Sequence, residues 1–132
     1  MNTIAVFAAH PDDEVLGCGG TIARHINEGD KVHVIILAEG LTSRYNKTDL
    51  KEKEQQIAQL QSSARKANEI LGTTSLNFLN FPDNRMDTIG LLDVVKKVEK
   101  ELIKRKPNIV YTHFSSDLKN PDISSASCFR GT

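Results

Sequence analysis

The chain has 132 residues, of which 39% are hydrophobic and 26% charged, a composition typical of one globular domain with a modest core. Its 17 basic residues balance its 17 acidic residues, so it has no general attraction for nucleic acid or anionic membranes. The apolar start of the chain is brief, lacks a basic flank and runs directly into carboxylates, so we expect neither a signal peptide nor a membrane span.

The first half of the chain alternates strand and helix patterns. The apolar run Thr3–Ala9 predicts a strand buried on both faces, and a helix is predicted over Gly17–Asn27. Lys31–Ala38 predicts a second buried strand, in which His33 alternates with valines and is expected to pack rather than to bind a ligand. A long helix over Asp49–Leu71 follows, with its apolar residues on one face.

The second half continues the alternation. A third strand is predicted over Leu76–Phe81 and a fourth over Ile109–Thr112, on either side of an amphipathic helix. That helix, Gly90–Arg105, is expected to turn Leu92, Val95, Val98 and Leu102 inward. The order βαβαβαβ predicts the α/β class, with a Rossmann-like parallel sheet and flanking helices in a single domain over 1–132.

Cysteine usage bears on location. Cys18 and Cys128 are too few for a disulfide framework, and their spacing matches no zinc finger. We therefore expect both to be free thiols, which suits a cytoplasmic location.

Polar loops follow three of the four predicted strands. They are His10–Glu14, Glu39–Arg44 and His113–Asp122. Because ligands of open α/β sheets bind beyond the carboxyl ends of the strands, we expect the functional site where these loops meet.

The first of these loops, within AHPDDEVLGCGGT, permits three interpretations. A dinucleotide site is disfavoured, since Ile22 occupies the third glycine position of GxGxxG and three carboxylates would repel a pyrophosphate. Helix capping explains one aspartate but not Asp12 and Asp13 together with His10 and Glu14. A metal site accounts for more, because an imidazole and a carboxylate are good Zn²⁺ ligands and Asp12 can accept a proton from water beside the ion.

The motif resembles that of the PIG-L/LmbE-like family of zinc-dependent de-N-acetylases. The similarity rests on Ala9–Glu14 with the glycine-rich turn after it, and extends to Ala38-Glu39-Gly40, Phe81-Pro82-Asp83-Asn84 and Tyr111-Thr112-His113. It implies an LmbE-like fold and a hydrolase that removes the N-acetyl group from an amino sugar or sugar conjugate, a small carbohydrate substrate.

The resemblance also implies roles for individual residues. His10 and Asp13 correspond to ligands of Zn²⁺ or another divalent metal, and Asp12 corresponds to the general base for attack by metal-bound water. Arg44, Asp83 and His113 are the residues expected to contact substrate, and His113 is also a weaker candidate for a metal ligand.

The sequence departs from the family pattern near its end. Ile123 follows Asn120-Pro121-Asp122, where the family has a histidine that completes the metal site. Residues 122–132 are accordingly expected to be a divergent or truncated tail, and an apolar sheet edge left exposed there would favour a homo-oligomer. The alternative to an active hydrolase is thus a non-catalytic or truncated member of the same fold with an incomplete metal site.

Overall fold

A computed structural model of the chain describes residues 1–38, 50–81, 91–113 and 129–131. It contains five strands, β1 (Thr3–Ala8), β2 (Lys31–Ala38), β3 (Ser75–Phe81), β4 (Ile109–Thr112) and β5 (Phe129–Gly131). The three helices are α1 (Asp13–Asn27), α2 (Leu50–Leu71) and α3 (Leu91–Arg105). None of the helices within these ranges is long and apolar enough to cross a membrane.

The strands form one sheet in the order β3-β2-β1-β4-β5. The first four are parallel, which confirms the predicted α/β fold, whereas β5 is antiparallel to β4 and was not predicted. We refer to the end of the sheet after Ala8, Ala38 and Thr112 as the carboxyl edge. The opposite end, before Thr3 and Lys31, is the amino edge.

Both faces of the central strands are buried, as their continuous apolar runs predict. One face packs against α1 and α2 through a cluster that includes Ile4, Val34, Ile36 and Ile22. Each such fully buried aliphatic side chain contributes about 1.5–3 kcal/mol to the free energy of folding. This packing fixes β1 and β2, and therefore the loops at their carboxyl ends.

The other face carries a smaller cluster, and here one prediction is wrong. Ala5, Phe7 and Ile35 are its buried members, and Val98 and Leu102 of α3 pack against them. Leu92 and Val95 are instead 64% and 49% exposed. The small apolar patch on this face is covered by the C-terminal half of α3, so the first turns of the helix lie beyond it.

The structure also bears on the predictions for His33 and for the cysteines. His33 packs as predicted, with its Nδ1 atom 2.7 Å from the Ser75 hydroxyl, and burial lowers the pKa of its imidazole. Cys18 is buried and disulfide-bonded, so the expectation of a free thiol at this position is wrong. Cys128 lies outside the described residues.

Candidate metal centre and catalytic loop

The predicted site lies at the carboxyl edge, where β1 and β4 end side by side. Parallel pairing places Val6 opposite Tyr111, so the chain leaves both strands at neighbouring points. The backbone N–H of Ala9 then donates a hydrogen bond of 2.8 Å to Nε2 of His113. The fold thereby brings together the first motif and a histidine that is more than one hundred residues away in sequence.

Asp13 is the centre of this arrangement. Its side chain is almost fully buried, and its Oδ2 atom accepts a hydrogen bond of 3.0 Å from the backbone N–H of His10. The same oxygen lies 3.5 Å from Nδ1 of His10 and 3.7 Å from Nε2 of His113. Two imidazoles and one carboxylate therefore meet at a single oxygen atom.

The distances fit a pair of metal ligands at His10 and Asp13. Zinc bonds of roughly 2.0–2.2 Å at a tetrahedral angle place two ligand atoms about 3.3–3.5 Å apart. The 3.5 Å between His10 Nδ1 and Asp13 Oδ2 agrees with that separation. His10 and Asp13 therefore stay the predicted ligands at this edge, and Ile123 lies outside the described residues.

The Nε2 atom of His113 already has a hydrogen-bond partner in the backbone of the first motif. Because its Nε2 lone pair accepts the Ala9 N–H, a neutral ring carries its proton on Nδ1. The hydrogen bond also fixes the orientation of the ring. His113 thus presents its hydrogen-bond donor on Nδ1, and its contact with substrate stays a prediction.

Asp12 has an unusual backbone conformation for a residue with a side chain. Its backbone is left-handed, with φ 94° and ψ −28°, a conformation that costs a non-glycine residue of order 1–3 kcal/mol. Its carbonyl oxygen accepts the N–H groups of Val15 and Leu16 and so begins α1. Its exposed carboxylate makes no capping hydrogen bond, so the capping interpretation does not account for this side chain.

Glu14 connects the loop to the interior of the protein. Its side chain is 1% exposed, its Oε2 atom accepts the Asp12 N–H at 3.1 Å, and its Oε1 atom accepts Nδ2 of Asn68 at 3.2 Å. Burial away from water raises the pKa of this carboxyl, although these hydrogen bonds oppose the change. Asn68 was not among the predicted site residues. The available signal was an amide on the otherwise apolar face of α2, four residues after Ala64.

A second group of candidate metal ligands lies at the amino edge. Ligand atoms of His25, Glu28 and Asp30 are all within 4.8 Å of one another. However, Nδ1 of His25 is 2.7 Å from Asp30 Oδ2, and Nε2 is 2.9 Å from the Tyr111 hydroxyl. Both ring nitrogens are therefore engaged in hydrogen bonds, and we interpret this group as structural.

Four of the predicted site residues, His10, Asp12, Asp13 and His113, lie within the described ranges. His10, Asp13 and His113 are brought together at the carboxyl edge, and Asp12 adjoins Asp13 in the same loop with its side chain exposed. Arg44 and Asp83 lie outside the described residues, as does most of the 122–132 tail.

Comparisons with known proteins identify the family of the chain. The model of the PIG-L family, described as GlcNAc-PI de-N-acetylase, matches residues 5–125. Diacetylchitobiose deacetylase of Thermococcus kodakarensis is 30% identical over 105 residues, which cover 76% of this chain and 36% of that protein.

Two solved structures extend the comparison. N,N'-diacetylchitobiose deacetylase of Pyrococcus horikoshii superposes with a TM-score of 0.77 at 20% identity, covering 95% of this chain and 46% of the other. The 4-carboxy-2-hydroxymuconate hydratase GalB of Pseudomonas putida superposes with a TM-score of 0.70 at 26% identity, covering 86% and 47%. The chain thus spans about a third to a half of the length of these three proteins.

Proposed function

The chain belongs to the PIG-L family, and on that premise we propose that it hydrolyses the acetamide of an N-acetylated amino sugar or sugar conjugate in a metal-dependent reaction. The observation that carries the proposal is the exposed Asp12 carboxylate, held on a left-handed residue directly beside the His10–Asp13 pair. The relative from Thermococcus, a diacetylchitobiose deacetylase, favours a carbohydrate acetamide as the substrate class.

His10 and Asp13 are the residues we assign to the metal. Their 3.5 Å separation suits zinc, and the backbone N–H of His10 holds the Asp13 carboxylate in place. A divalent ion bound there would lower the pKa of water and polarise an amide carbonyl.

Asp12 and His113 are the residues we assign to proton transfer and substrate contact. Hydrolysis forms a C–O bond from water to the acetyl carbon and breaks the C–N bond, so one water proton must leave and the amine must gain one. The Asp12 carboxylate accepts the proton from the attacking water and can return it to the departing nitrogen. His113, with its proton on Nδ1, donates a hydrogen bond to a substrate oxygen. Arg44 and Asp83 remain proposed substrate contacts.

The decisive experiment measures zinc content and amine release with the same preparations. Asp12→Asn should lower amine release from an N-acetylglucosamine conjugate by about 10²–10⁴-fold while zinc stays bound, because the amide cannot act as a base. Asp93→Asn is the control, since Asp93 is exposed in the first turn of α3 and lies outside the site.

Three outcomes would count against the proposal. Undiminished amine release by Asp12→Asn would remove Asp12 as the base. Loss of zinc in that variant would make Asp12 a ligand instead. Failure of the wild-type chain to retain zinc at excess metal would favour the alternative of an incomplete, non-catalytic site.

Hydration of a carbon–carbon double bond is a second candidate function. The similarity to GalB, a hydratase with the same fold at 26% identity, favours it. Both reactions add water to an activated carbon, so the same base could serve either. Incubation with 4-carboxy-2-hydroxymuconate distinguishes them: loss of its conjugated absorbance without activity on any acetamide would support the hydratase.

A further inference from the structure

The left-handed backbone of Asp12 requires something in the structure to hold it. The carbonyl group of Asp12 is fixed by the first turn of α1, through Val15 and Leu16. Its N–H group is fixed by Glu14, whose Oε2 atom accepts it at 3.1 Å. The conformation of the proposed base therefore depends on where the Glu14 carboxylate is held.

Asn68 determines that position from a different element. Its Nδ2 atom donates to Glu14 Oε1 at 3.2 Å and to the carbonyl of Ala64 at 2.9 Å. Its Oδ1 atom accepts the Thr73 hydroxyl at 3.2 Å, which sets the direction of the amide. At 2% exposure, Asn68 has little access to water as a substitute partner. A chain of hydrogen bonds thus runs from the end of α2 through Glu14 to the Asp12 amide.

We propose that Asn68 is a positioning residue for Asp12, holding the Glu14 carboxylate against the Asp12 N–H so that the Asp12 side chain faces outward from the loop. The proposal deepens the proposed function and rests on it for its kinetic consequence. Its structural consequence, protection of the Asp12 amide, does not depend on any activity.

The geometry argues for more than helix capping. A carboxylate near a helix N-terminus is normally satisfied by the backbone and by water. Glu14 is instead enclosed at 1% exposure, and its second oxygen is bound by a side chain from another helix. Enclosing a carboxylate in this way is costly. The arrangement fixes the backbone geometry of the residue that carries the proposed base.

Asn68→Ala tests the proposal, with Leu71→Ala as the matched control. Leu71 lies on the same face of α2 and packs against the apolar core, so its truncation weakens the helix without touching the hydrogen-bond chain. Asn68→Ala should speed hydrogen exchange of the Asp12 amide by roughly tenfold beyond its effect on the Leu16 amide. It should lower kcat for amine release about tenfold or more, with zinc content and KM nearly unchanged.

The two readouts separate the two hypotheses. If the wild-type chain releases no amine from any acetamide, the proposed function fails, and the exchange of the Asp12 amide still decides the role of Asn68. Equal Asp12 exchange in Asn68→Ala and Leu71→Ala would overturn the positioning role. A kcat in Asn68→Ala no lower than in Leu71→Ala would overturn it as well.

Discussion

The two edges of the sheet both carry histidines beside carboxylates, yet they differ in how those groups are satisfied. At the amino edge, His25 contacts Asp30 through one ring nitrogen and the Tyr111 hydroxyl through the other. Asp30 also accepts the backbone N–H of Asn2 at 2.7 Å. At the carboxyl edge, the exposed Asp12 carboxylate makes no capping bond, and His10 and Asp13 lie at a separation that suits a metal.

The difference shows that residue types alone do not define a metal or catalytic site. His25, Glu28 and Asp30 have the right ligand chemistry, but internal hydrogen bonds already use both nitrogens of the imidazole. The pKa values of Asp30 and Glu14 also shift in opposite directions. The Asn2 amide and His25 lower the pKa of Asp30 to about 2, whereas burial raises the pKa of Glu14. Hydrogen bonds at the amino edge stabilise the charged form of Asp30, whereas burial at the carboxyl edge destabilises the charged form of Glu14.

The largest expected effect is on zinc affinity, which should depend on the carboxyl edge and not on the amino edge. His10→Ala removes a proposed ligand and should weaken zinc binding by about 100-fold or more. Removing a residue that only contacts a ligand typically weakens metal binding by about 10–100-fold. His25→Ala, its matched control at the amino edge, should leave zinc affinity within about twofold. Competition with a chromogenic chelator measures both. A loss of affinity in His25→Ala alone would reverse the assignment of the two edges.

A moderate effect should appear in stability at the amino edge. Tyr111→Phe leaves Nε2 of His25 without its 2.9 Å partner in a largely buried position. We expect the free energy of unfolding in urea to fall by about 1–3 kcal/mol, with zinc binding unchanged. An unchanged unfolding midpoint would mean that the Tyr111–His25 contact contributes nothing to stability.

The smallest effect concerns acid stability. Because the pKa of Asp30 is lowered to about 2 in the folded state, its contribution is present above its ordinary value near 3.8 and is lost as the pH falls toward 2. Asp30→Asn should therefore lose less stability than the wild type between about pH 4 and pH 2, measured by urea unfolding at each pH.

Glu14→Gln in chelator-treated protein provides the contrast for that measurement. The pKa of Glu14 is raised by burial, so its contribution is present below its ordinary value and is lost as the pH rises through the folded-state value. Relative to wild type, the variant should become more stable as the pH increases. The same sign of change for Asp30→Asn and Glu14→Gln would contradict the comparison of the two edges.

Much of the fold could be predicted because its signals are local. The runs Thr3–Ala9 and Lys31–Ala38 are too apolar to face water on either side, and their alternation with helices requires a parallel sheet. The start of α1 at Asp13 rather than Gly17 was less visible, since the glycines oppose a helix that the Asp12 carbonyl nevertheless begins. The exposure of Leu92 and Val95 could not be anticipated, because helical spacing does not reveal how far the facing sheet extends.

The sequence alone determined that the first strand ends in a histidine and three acids, because these residues adjoin one another and the strand signal before them is strong. It could not distinguish their roles. Tertiary structure gave Asp12 a left-handed backbone, buried Glu14 against Asn68 and brought His113 onto the Ala9 amide. These features depend on contacts between segments that are distant in the sequence. A local pattern does not show which hydrogen-bond partners a side chain will find once the chain has folded.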